Sequence, residues 1–173
     1  MAVLMLGLLC MACGGSNTPA AVTSPSPTVD AANAAYVAMV STYWDGIVAA
    51  DNASGNRNEA AETCLGTTSA DSPSSVDLVQ PARCAVRAAA ILAVQRKFLN
   101  QVENTPPPQR FRADDTIFET HLPLAIDALK ALLSATATGS KQATFDAANT
   151  YADIMVTTVL PALDDVDPST KHN

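Results

Sequence analysis

Ring-bearing and basic side chains are both scarce in this chain. Aromatics make up 5% of its 173 residues, with one Trp, three Tyr and four Phe, and there are two histidines. Sheets favour β-branched and aromatic residues, so a core with few rings and many alanines points to closely packed helices. His172 stands next to the end of the chain, which leaves His121 alone within the folded region, and a three-histidine zinc site is excluded. A di-iron bundle needs Glu-x-x-His on two helices, whereas here Glu119 precedes His121 by two positions. The chain also lacks CxxCH for haem attachment, the GxSxG nucleophile elbow, the P-loop and the dinucleotide fingerprint. Lys and Arg number 10 against 17 Asp and Glu, a net charge of −7. That balance argues against general nucleic-acid binding, which needs basic surface to neutralise phosphates.

What is present begins with an address. Met1 to Ala12 reads MAVLMLGLLCMA, an apolar run too short to span a bilayer as a helix. Cys13-Gly14-Gly15-Ser16-Asn17 follows, then TPAAVTSPSPT. A short apolar segment, a small residue, a cysteine and a flexible polar stretch together resemble the N-terminus of a bacterial lipoprotein precursor. The resemblance covers about the first 28 residues. It implies cleavage after Ala12, a diacylglycerol on Cys13 and a Gly/Ser/Pro-rich tether. Two features depart from the family pattern: Cys10 stands where leucine is usual, and no Lys or Arg precedes the apolar run. The implied location is extracytoplasmic, with a lipid anchor in a bacterial membrane as the contact to the bilayer.

Removing Cys10 with the signal and giving Cys13 to the lipid leaves Cys64 and Cys84. Two thiols in an oxidising compartment, outside any CxxC motif, predict one disulfide. Its loop of about 20 residues would contribute about 3 kcal/mol by constraining the unfolded chain. Two free buried cysteines are the alternative. Zinc lacks a histidine or second cysteine pair at ligand spacing.

Apolar residues then recur at helical steps of three and four in four stretches. Ala32, Tyr36, Met39, Tyr43, Ile47 and Ala50 predict a first helix over Asp30–Asp51, capped by Thr28 or Asp30. A turn carrying Cys64 is expected within Glu59–Leu65. Cys84, Ala88, Ile91, Gln95, Phe98 and Val102, widened by Leu92 and Leu99, predict a second helix ending near Glu103. Pro81 is tolerated in its first turn, and Pro106-Pro107-Pro108 forces the chain to turn after it. The third stripe starts at Asp114 and runs through Phe118, Leu122, Ala125, Ile126, Leu129, Leu132 and Leu133; Pro123 should kink or split it. The fourth covers Lys141–Leu160, bent at Pro161, and buries Phe145, Ala148, Ala152, Met155, Val156 and Val159. Connections that are mostly short, with a longer first one held down by the Cys64–Cys84 bridge, make these an up-down-up-down four-helix bundle. The expected organisation is a signal over 1–12, a tether over 13–28, a bundle over 29–165 with the disulfide in its first connection, and a frayed tail over 166–173.

Few constellations in this inventory carry chemistry. Asp115 and Glu119 lie one turn apart, a spacing suited to a cation or to paired acid/base work; charge bias in a first helical turn is the stronger explanation. With His121 they form the one conceivable hydrolytic set. Met39 and His121 sit at similar heights on diagonal helices, as a Met/His haem pair would, although each also serves as ordinary filler. Asp164, Asp165 and Asp167 cluster without the glycine and closing Glu of a calcium loop. Trp44 beside Tyr43, and Arg83 and Arg87 in a basic stretch, are candidates for a partner surface; packing under the disulfide loop and neutralisation of acidic neighbours account for them otherwise. The reading that results is a non-enzymatic envelope lipoprotein whose helical domain binds a protein or small-molecule partner, with no cofactor. A haem or metal carrier and a hydrolase are its rivals.

Overall fold

The structure, a computed structural model, describes residues 28–52, 55, 63–66 and 75–170. The expected signal over 1–12 with Cys10, the expected tether from Cys13 as far as residue 27, and residues 171–173 lie outside the described residues, as do 59–62 of the expected turn. Among the described residues all regular structure is helical: α1 (Val29–Asn52), α2 (Pro81–Asn104), α3 (Arg112–Ala137), α4 (Lys141–Ile154) and α5 (Leu160–Val166). Short 3-10 turns occupy Val76–Leu78, Gln109–Phe111 and Pro168–Thr170. Helix α3 packs most heavily against α2 and α4, and α1 lies on α2. No helix among the described residues is long and apolar enough to cross a membrane.

Helices α1 and α4 begin where a side chain accepts from a loose backbone N–H group, and α2 where a proline removes one. Thr28 Oγ1 accepts from Ala31 N at 3.3 Å, and Ser140 Oγ from Ala143 N at 3.2 Å. Pro81 opens α2, where its missing N–H costs nothing. The core face of α1 is Tyr36, Val40, Tyr43, Ile47 and Ala50. Val40 rather than Met39 holds the centre of this stripe, and Met39 sits half-buried at its edge. Gly46 marks the close approach of α1 to α2, since a Cβ there would come within 3.0 Å of Val94 Cγ1. The rings that the chain has are concentrated together: Tyr43 stacks on Phe98 at 4.1 Å, Phe98 meets Phe118 edge-on at 5.4 Å, and Tyr36 stacks on Phe111 at 5.4 Å.

Several expectations need correction. Pro123 does not split the third helix, which runs unbroken from Arg112 and buries Phe118, Leu122, Ala125, Leu129 and Leu132. The proline removes the donor for the carbonyl of Glu119, an exposed residue whose carbonyl water can serve. At Pro161 the fourth helix relaxes into a wider π turn over Met155–Val159, with Leu160 N bonding Met155 O, and then resumes as α5. The wider turn keeps Met155 and Val159 on the core side but turns Val156 outward, 62% exposed, while Thr144 takes the buried place expected of the half-buried Phe145. The residues expected to fray are packed as far as Thr170. Asp167 Oδ1 accepts from Ser169 N and Oγ at 3.0 and 2.7 Å, and the buried Thr170 hydroxyl donates to Asp167 O at 2.7 Å.

The Cys64–Cys84 disulfide is present, with the two Cα atoms 5.0 Å apart. Two backbone bonds fix the turn that carries Cys64: Gln80 N to Thr63 O at 3.0 Å and Ser75 N to Gly66 O at 2.7 Å. Gly66 has φ +62°, and a Cβ on it would fall 1.8 Å from Ser75 O, so no other residue fits.

Candidate functional site

On the second half of α1, Trp44, Ile47 and Asp51 follow at steps of three and four and share one face. Opposite them α2 supplies Arg87 and Ile91, again four apart, and the α4–α5 arm supplies Tyr151, Met155 and Leu160. These side chains line an open hollow of about 140 Å³ at the surface. Behind it, sharing Arg87, Ile91 and Tyr151 in its wall, lies a second cavity of about 70 Å³. Cys64 and Leu65 of the disulfide-bound turn roof the second one, and Ala88, Leu129 and Ala148 form its floor. Small side chains such as Ala88, Ala148 and Ala152, beside the cystine, leave the second of these spaces unfilled.

Polar groups converge on the shared wall. Arg87 Nε donates to Asp51 Oδ1 at 2.8 Å, with side chains 19% and 16% exposed. Such a half-buried pair has little net charge to offer an ion. Tyr151 Oη accepts from Gln95 Nε2 at 3.0 Å, and the same nitrogen lies 3.3 Å from Met155 Sδ. Gln95 is fully buried, and among the described residues its Oε1 has no hydrogen-bond partner; neither has the buried hydroxyl of Tyr43. Burial pushes the Tyr151 phenol up to about 12, with Asp51 adding to the rise and Gln95 and Arg87 opposing it. Tyr151 therefore feels both members of the ion pair. Tyr43 is also raised well above its ordinary value, by burial first and then by Tyr151.

The residues singled out from sequence are distributed unevenly around this site. Trp44 and Arg87 both line the open hollow. Arg83, one turn earlier on α2, instead donates to Gln80 Oε1 at 3.3 Å on the surface. Met39 lines a separate open groove of about 490 Å³ with Ala32, Tyr36, Gln101 and Pro106. His121 is not part of that groove; its Nδ1 lies 3.1 Å from the carbonyl of Ile117 in its own helix. Asp115 and Glu119 are separated by burial. The Asp115 carboxylate accepts the Tyr36 hydroxyl at 2.5 Å inside the core, while Glu119 is exposed. Burial, then Asp115, then Asp114 and Glu119 drive the Tyr36 phenol far up. Among the described residues no three His, Cys, Asp or Glu side chains are grouped to hold a metal ion. Of the C-terminal acids, Asp165 is exposed and helps burial raise the carboxyl of Asp114.

Sequence reasoning missed Asp51 and Tyr151 as lining residues, and Gln95, which donates to Tyr151 from the core behind them. Gln95 carried a signal, a polar amide in the middle of an apolar stripe, which implies a buried partner. The Asp51–Arg87 pair carried none, being 36 residues apart on different helices. No family model matches the chain, and no curated protein or solved structure matches it significantly.

Proposed function

We propose that this chain is a non-enzymatic, extracytoplasmic lipoprotein, held to a bacterial membrane by a diacylglycerol on Cys13. Its helical domain takes an up-down-up-down order in α1 to α4 and binds its partner or ligand at the Trp44–Arg87 hollow. The observation that carries the reading is the Cys64–Cys84 bond, because disulfides form and persist in oxidising compartments. The lipoprotein-like first 28 residues are independent support. The heaviest packing pairs successive helices, α2 with α3 and α3 with α4 across short connections and α1 with α2 across a long one, as in such a bundle. The hollow offers apolar walls and a few convergent polar groups, the usual composition of a binding site.

The experiment is expression of the full chain in a bacterium with a labelled fatty acid, beside Cys13→Ala. The expected result is label and membrane fractionation for the parent, and neither for the variant. Equal labelling of both chains, or label in neither, contradicts the anchor. The rival that pairs Met39 with His121 about a haem has no geometric support, since His121 lies outside the Met39 groove.

A further inference from the structure

We draw no further inference here: the strongest candidate, the open and largely apolar groove that Ala32, Ala35 and Met39 of α1 form with Pro106 and Pro108 of the turn after α2, carries nothing, because nothing in the structure shows what covers it.

Discussion

The two ends of this helical body solve the problem of filling space differently. Where α2 turns into α3, rings do the filling: Tyr36 lies on Phe111, and Phe98 joins Tyr43 to Phe118. Where the Cys64–Cys84 turn closes over α2, α3 and α4, small side chains such as Ala88 and Ala148 leave a small cavity behind an open hollow and a half-buried ion pair. The contrast teaches that the shortage of aromatics has a local consequence. At one end five of the eight rings stack on one another in the core; at the other, Trp44 and Tyr151 border open space instead, beside an ion pair and a disulfide.

Alkali should break both ends at once and by the most. All three tyrosines are raised above their ordinary value near 10, Tyr151 to about 12. Each holds its proton in the folded chain at a pH where an unfolded tyrosine has lost it, so the unfolded state binds fewer protons. Their stabilising contribution is complete below pH 10 and drains away as pH rises through the folded values, by up to about 1.4 kcal/mol per pH unit for each group. Tyrosinate absorbance should stay absent until unfolding and then appear together with loss of helical circular dichroism. Gradual ionisation at pH 10 with the helices intact would refute the burial.

At the ring end, Phe98→Ala should cost about 4 kcal/mol in denaturant unfolding, since it removes both the Tyr43 and Phe118 contacts and leaves a void. At the cavity end, replacing both cysteines, Cys64→Ser with Cys84→Ser, should cost about 3 kcal/mol through the freed loop. It should also expose the turn at residues 63–66 to protease before the helices are cut. The smallest effect sharpens the comparison. Tyr43→Phe keeps the stack on Phe98 and removes a buried hydroxyl that has no partner among the described residues. Stability should hold steady or rise by up to about 1 kcal/mol, whereas a clear loss would mean that the hydroxyl is bonded in solution.

Much of this was legible in the order of residues. Stripes such as Cys84–Ala88–Ile91–Gln95–Phe98–Val102 are core faces as spacing alone indicates, and the Cys64–Cys84 disulfide is the pairing expected of the two cysteines left over on the reading that the chain is exported. Proline was harder to read. Pro123 is carried inside α3, while Pro161 is met by a π turn that alters which residues point inward, because the effect of a missing N–H depends on what can serve the abandoned carbonyl. Asp115 looked like first-turn charge and is a buried acceptor, since its partner Tyr36 is 79 residues away. The cavity site was half visible, through Trp44 and Arg87; Asp51 and Tyr151 join it only when α1 and α4 are brought to the same stretch of α2.

The account stands most directly on the mass of the intact polypeptide extracted from the membranes of bacteria expressing the full sequence. It predicts a chain starting at Cys13, heavier by a diacylglycerol and lighter by two hydrogens for the Cys64–Cys84 bond. An unmodified chain starting at Met1, recovered from the cytosol with every thiol reduced, would contradict it.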